Sequence, residues 1–223
     1  MALLHTADLT PTKIELLSGW VPSQPWFSGE ADAPLENVAA YRFDDPDGEV
    51  GIETLLVSAG TGPALQVPVT YRSAPLTGAD AALIGTTEHS VLGKRWVYDG
   101  VGDPVYLAAV ATAAFTGGRQ AELQIEIDGQ MVLREPTAVV AGSGAPGGPA
   151  VTLPAVGEIS ISETSGATIV TAGPLRIVVA RELGDNDVLA DQVPDSAIHE
   201  VLAGTWTEQP SLRTLVLVGV VAD

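Results

Sequence analysis

No cysteine occurs in the 223 residues, which removes disulfides and thiolate metal sites from consideration. Aromatic residues make up only 5% of the chain, so its core must be assembled mainly from Ala, Val, Leu and Ile. Cations are scarce as well. Lys and Arg total 10 against 28 Asp and Glu, for a formal net charge of −18. A field of that sign repels phosphate backbones and anionic headgroups, which argues against nucleic acid and the membrane as partners. The same acidity keeps an apolar, Ala/Val-rich chain in solution. The longest helix-like apolar stretch, Val105 to Phe115, is far short of the ~20 residues that span a bilayer. Met1 to Leu9 shows no basic stretch leading into a long apolar run, so no secretory signal is read there. A soluble cytoplasmic protein is expected.

What is present is rich in strand and turn signals. Thr10-Pro11 reads as an N-cap with a first-turn proline, opening a short helix through Leu17 that Gly19 ends. Trp20 to Phe27 carries Pro22 and Pro25 and cannot be regular helix. Val38–Phe43 and Gly51–Ala59 read as strands, joined into a hairpin by the acidic turn Asp44-Asp45-Pro46-Asp47-Gly48. Leu65–Arg72 is a third strand, and Ala81–Ile84 with Lys94–Tyr98 supply two more. Asp103-Pro104 caps a helix to about Phe115, stopped by Gly117-Gly118. Glu122–Ile127 alternates polar and apolar residues, and Asp128-Gly129 turns it into a strand over Met131–Ala141. Gly142 to Pro149 reads as a flexible connector. A meander follows over Ile159–Glu163, Thr168–Thr171 and Leu175–Arg181, with turns at Ser165-Gly166 and Gly173-Pro174. Gly184–Asp195 is an acidic loop, Val193–Ala203 a short helix and Leu212–Val221 a buried closing strand. The pattern predicts an α+β fold: antiparallel sheets with a few helices.

Few constellations carry chemistry. Gly142-x-Gly144-x-x-Gly147 has dinucleotide spacing. Pro146 and Pro149 prevent the helix whose N-terminus would meet a pyrophosphate, so no nucleotide cofactor is expected. His5, His89 and His199 lack metal-ligand spacing. His89, beside Glu88 and near Lys94-Arg95, fits a polar loop that contacts a partner. Asp44, Asp45, Asp47 and Glu49 fail the calcium-loop pattern, which needs a later glutamate. Asp185-Asn186-Asp187 with Asp191 and Asp195 reads as another solvated loop. No Gly-x-Ser-x-Gly elbow occurs, and nothing singles out a carboxylate pair for glycoside hydrolysis. No catalytic, cofactor or metal residue is assigned. Trp20, Trp26, Trp96 and Trp206 admit two roles, stacking on sugar rings or anchoring a core poor in aromatics. Trp20, Trp26 and Phe27, with their prolines, read as a staple holding the first helix to the sheet.

Two stretches carry a family resemblance. Gly19-Trp20-Val21-Pro22, then Pro25-Trp26-Phe27, resembles the tryptophan/proline opening of the N-terminal cap of actinobacterial maltokinases. Ala82-Leu83-Ile84-Gly85, then Tyr98-Asp99-Gly100-Val101-Gly102-Asp103-Pro104 and the helix, resembles the region where a tyrosine–aspartate pair leads into an Asp-Pro-capped helix. Gln66-Val67-Pro68-Val69 with Tyr71 and Arg72 fits the strand between them. Downstream, Ser165–Leu183 is similar to the strand pair of the maltokinase N-lobe that carries the ATP-phosphate lysine. That position falls near Val178, and valine cannot pair with a phosphate. Maltokinases place the catalytic aspartate in a His-x-Asp loop. Here the histidines are followed by Thr6-Ala7, Ser90-Val91 and Glu200-Val201. Phosphoryl transfer depends on placed carboxylates and metal, so the resemblance implies a relative without the kinase reaction.

These readings divide the chain into a cap-like unit, residues 1–118, and a mostly β unit similar to a degenerate kinase N-lobe, residues 119–223. The expected role is binding without catalysis, as a regulatory or interaction partner in glucan or trehalose metabolism. The ligand would be a protein partner or a sugar, with no cofactor. A carbohydrate-binding module for maltose or α-glucan and the non-catalytic half of a split sugar kinase are the alternatives. Trp20, Trp26, Trp96, Tyr98 and Asp99 are the candidate contacts, and open sheet edges allow a homodimer.

Overall fold

The computed structural model describes the chain except for residues 1, 5–7, 31, 128–129, 149–150, 152–154, 185–188, 190–191, 193–197 and 221–223. The first strands are β1 (Ala2–Leu4), β2 (Leu9–Thr10), β3 (Leu35–Phe43), β4 (Gly51–Ala59), β5 (Leu65–Arg72), β6 (Leu83–His89) and β7 (Gly93–Asp99). After these come β8 (Leu123–Ile127), β9 (Gln130–Arg134), β10 (Ala138–Gly142), β11 (Ile159–Thr164) and β12 (Ala167–Ala172). The last are β13 (Leu175–Ala180), β14 (Ile198–Trp206) and β15 (Gln209–Val220). The α-helices are α1 (Lys13–Trp20) and α2 (Pro104–Thr116). One six-stranded sheet runs β2-β6-β7-β5-β4-β3, a second runs β10-β14-β15-β13-β12-β11, and β1-β8-β9 form a small third sheet. Both large sheets are antiparallel throughout, as the turn-rich sequence predicts; among the described residues only β1 and β8 pair in parallel.

Local chemistry explains the helix ends. Helix α1 begins after Thr12, not at Thr10-Pro11, and it runs through Gly19 to Trp20 instead of ending at that glycine. The Thr12 hydroxyl accepts from the Glu15 N–H at 3.2 Å, and the Glu15 carboxylate accepts from the Thr12 N–H at 2.7 Å. This reciprocal capping box satisfies two orphan donors at once. An N-cap at Thr10 would put Lys13, which has no acceptor, at the matching place. Helix α2 follows its prediction: the Asp103 carboxylate accepts from the Val105 N–H at 3.0 Å, and Gly117 ends the helix at φ 68°.

Three more expectations are corrected. The run from Met131 to Ala141 is not one strand; β9 and β10 lie in different sheets. Pro136 has no ladder donor, and the Thr137 hydroxyl leaves the strand path to bond both the N–H and the C=O of Ala40, at 2.9 and 3.0 Å. The described part of Val193–Ala203 is strand, not helix, because β14 is held between β10 and β15. The glycine-rich segment after β10 packs tightly on the C-terminal end of α2. A Cβ at Gly142 would lie 2.0 Å from the Ala113 carbonyl oxygen, and one at Gly144 2.1 Å from that of Phe115. The Gly144 N–H donates to the Ala114 C=O at 2.9 Å. These glycines permit backbone-to-backbone approach instead of flexibility. The Asp128-Gly129 turn, His5, Pro149 and Asp185, Asn186, Asp187, Asp191 and Asp195 lie outside the described residues.

The main core runs through both halves of the chain. It joins Tyr41, Ile52 and Leu56 of the first sheet to Leu107 and Val110 of α2 and to Val178, Leu202 and Val216 of the second sheet. A smaller cluster lies under α1, around Leu17, Trp26, Val57 and Val67.

Candidate functional site

The residues of the Tyr98–Pro104 motif converge at the junction of the two large sheets. Strand β7 accompanies β5 only from Arg72 back to Val69, which faces Asp99. Pro68, next along β5, offers no N–H to a neighbour. Beyond it the vacant edge of β5 is taken by the chain leaving β13: the Gln66 N–H donates to the Arg181 C=O, and the Leu183 N–H to the Ala64 C=O, both at 2.8 Å. The first sheet is thus completed by the segment that leaves β13 of the second sheet.

Arg181 reaches back across that gap. Its side chain is fully buried, with Nη2 2.5 Å from the Asp99 carboxylate and Nε 2.7 Å from the Thr168 hydroxyl. Its guanidinium lies 4.8 Å from the Trp26 ring centroid, a cation–π contact in a water-excluded setting. Thr168 in turn donates to Glu163 at 2.6 Å. Burial raises the Glu163 carboxyl above its usual pKa, a shift the Thr168 hydrogen bond and the Arg181 charge only partly offset. Beside this chain the Gln66 amide donates to the Ala180 and Leu215 carbonyls at 2.8 and 2.9 Å and accepts from the Tyr41 hydroxyl at 2.9 Å.

Four other residues of the motif have structural roles as well. The Tyr98 hydroxyl accepts from the Leu76 N–H at 2.8 Å. A Cβ at Gly100 would meet the Tyr106 ring at 2.9 Å, and one at Gly102 the Ala82 methyl at 2.4 Å. Asp103 caps α2, accepts from Thr70 at 2.7 Å and takes a two-point contact from Arg72, both bonds 2.7 Å. That fork-to-carboxylate geometry, foremost its hydrogen bonding, raises the Arg72 pKa further.

The sequence-based candidates separate into two groups. Trp26, Tyr98 and Asp99 are buried, at 2%, 2% and 5% exposure; Trp26 and Asp99 brace the junction through Arg181, and Tyr98 holds the chain at Leu76. Trp20 and Trp96 are half-buried. Trp20 meets Trp26 edge-on at 5.9 Å, and the Lys94 ammonium lies 5.0 Å from the Trp96 ring centroid. Val178 is fully buried at the centre of the second sheet. The Asp45 carboxylate accepts from the N–H groups of Asp47, Glu49 and Val50, so it organises its own turn. Among the described residues no group of three or more metal-ligating side chains gathers, and no helix is long and apolar enough to cross a membrane.

Residues 20–103 match the family of the maltokinase N-terminal cap domain. This segment is similar to the maltokinase N-terminal cap domain. All five candidate contacts, together with Arg72 and Asp103, fall within it. A search of curated proteins gives no match for the chain.

Sequence reasoning missed Arg181, Gln66 and Glu53. Each is a polar residue set in an apolar strand run, the signal that a buried partner waits elsewhere. Glu53 lies on β4 beneath α1, where Lys13 reaches it at 2.6 Å and the Tyr71 hydroxyl donates at 2.8 Å. Burial alone would raise its carboxyl. The charges of Lys13 and Arg42 and these hydrogen bonds prevail and hold the pKa below the usual value. Burial first, and the Glu53 charge second, push the Tyr71 hydroxyl well above its ordinary range.

Proposed function

We propose that this chain acts in the cytoplasm by binding, as a cap-type partner of an enzyme of glucan or trehalose metabolism, without catalysing a reaction itself. The supporting observation is how the cap's polar residues are used. Asp99, Asp103, Tyr98 and Glu53 each hold the fold together through an internal bond. Valine 178, which the resemblance sets near the phosphate lysine of maltokinases, contributes only apolar packing. The test is a phosphorylation assay of the purified chain with ATP–magnesium and maltose, alongside calorimetric titration with maltose and glycogen. No turnover is expected, and measurable maltose phosphate would overturn the reading.

Trp96 favours one second reading, a carbohydrate module. It is a half-buried candidate indole on β7, beside the Lys94 ammonium. A maltose-dependent change in fluorescence that Trp96→Ala abolishes would favour this reading over a protein partner.

A further inference from the structure

Two hairpins of the cap sheet end on the same side, with β5 between them. Gly51, Tyr71 and Val97 lie in one row across β4, β5 and β7. Beyond that row project the β3–β4 turn and the β6–β7 tip. The turn carries exposed Asp44, Asp47 and Glu49. The tip carries Val91 and Leu92, 58% and 50% exposed, followed by Lys94 and Arg95. With strands about 4.8 Å apart, the two hairpin centres stand roughly 7 Å to either side of β5.

Both projections are stiff. The His89 ring accepts from the N–H groups of Val91 and Leu92 at 3.2 and 3.1 Å, and Arg95 donates to the Leu92 C=O at 2.8 Å. Ser90 and Asp8 exchange two bonds of 3.0 Å. The acidic turn is held by Asp45, whose charge also acts on Arg72 at the end of β5. Thus a tip that carries Val91, Leu92, Lys94 and Arg95, with Glu88 across the hairpin from Lys94 and Asp8 beside Ser90, and an acidic turn flank one strand end, on a chain whose net charge is −18.

We propose that this end of the cap sheet is a self-association surface, where the β6–β7 tip of one copy docks against the β3–β4 turn of a second copy. A half-turn about the sheet normal through the end of β5 exchanges the two sides. Lys94 and Arg95 of each copy then meet Asp47 and Glu49 of the other, and Val91 and Leu92 are covered. The pairing is isologous, so both contacts form together. Two hairpin tips offer less than the ~800 Å² per partner of a standard interface, so the dimer is weak. At about 0.15 M salt the screening length of ~8 Å suppresses the repulsion between whole chains but spares contact pairs.

The test is sedimentation velocity on the full chain at that salt, from about 10 to about 200 μM. The wild type is expected to show a concentration-dependent dimer. The variants Lys94→Glu/Arg95→Glu and Asp47→Lys/Glu49→Lys should each associate at least about tenfold more weakly. An equimolar mixture of the two should dimerise again, because both contacts regain opposite charges. Lys94→Glu mixed with Asp47→Lys repeats the test without touching Arg95, which helps shape the tip. A wild type that stays monomeric, a dimer indifferent to both variants, or a mixture that fails to recover would each overturn the proposal.

Discussion

Arg181 offers the sharpest test of how the two sheets are joined. Replacing it by methionine keeps an unbranched, apolar-stemmed side chain but strands the Asp99 carboxylate, which is only 8% exposed. Removing one member of a buried ion pair costs about 3–5 kcal/mol, mostly the penalty of an uncompensated charge. The cation–π contact with Trp26 is lost too, and methionine sulfur against an indole recovers part of it. For a chain of this size each kcal/mol moves the unfolding midpoint by about 2–4 °C, so Arg181→Met should melt roughly 6–20 °C lower. A second substitution, Asp99→Asn, removes the stranded charge while still able to accept from the Val101 N–H. The double variant should therefore be more stable than Arg181→Met alone, by about 1–3 kcal/mol, a sign reversal that additive losses cannot produce. The assay is urea unfolding of wild type, both single variants and the double variant, followed by circular dichroism. If Arg181→Met lies within about 1 kcal/mol of wild type, or if Asp99→Asn deepens its loss, the junction is not an ion-pair joint.

Two further outcomes are expected. Gly144→Ala would drive a Cβ to 2.1 Å from the Phe115 carbonyl oxygen, backbone against backbone, and should cost about 1–3 kcal/mol or more in thermal unfolding. Gly157→Ala, with nothing within 4 Å, should stay within about 0.5 kcal/mol of wild type; equal effects would refute the packed reading of the glycine segment. The Glu53 carboxyl has a folded pKa below its unfolded value, so its contribution is present above the unfolded pKa and lost as pH falls through the folded one. Glu53→Gln should thus be clearly less stable than wild type near neutral pH, and the gap between the two unfolding curves should narrow as pH falls below the usual carboxylate range. A constant gap across that range would mean the carboxylate's charge is not what holds α1 to the sheet.

Much of the architecture is legible in the sequence because it is written locally. The Asp-Pro start and Gly117 stop of α2, the acidic turn between β3 and β4, and the Ser165-Gly166 and Gly173-Pro174 turns of the meander each depend on a few adjacent residues. The failures share a different cause. The helix expected after Val193 gave way to β14 because two neighbouring strands supply ladder partners that local propensity does not record. The break at Pro136 was hidden by apolar residues on both sides of it, and by a tie from Thr137 to a strand nearly a hundred residues earlier (97 by count). Glycines 142 and 144 look the same in sequence whether they confer freedom or allow close approach; only the end of α2 beside them distinguishes the two. In residues 20–103 the motif alone singles out Tyr98 and Asp99, while the use of Asp99 at the junction depends on Arg181, 82 residues away.

The shared edge of β5 has a consequence for how the chain is made. Gln66 and its partner carbonyl at Ala180 are 114 positions apart. At a translation rate of about 5–20 residues per second, β5 emerges roughly 6–23 s before the segment that completes it. During that wait the nascent first sheet presents a bare strand edge and, once Asp99 has been made, an unpaired carboxylate, so that sheet cannot be completed before the rest of the chain is made. Ribosome-bound chains truncated before Arg181 should accordingly be open to protease at β5, and chains extended past Leu183 closed to it.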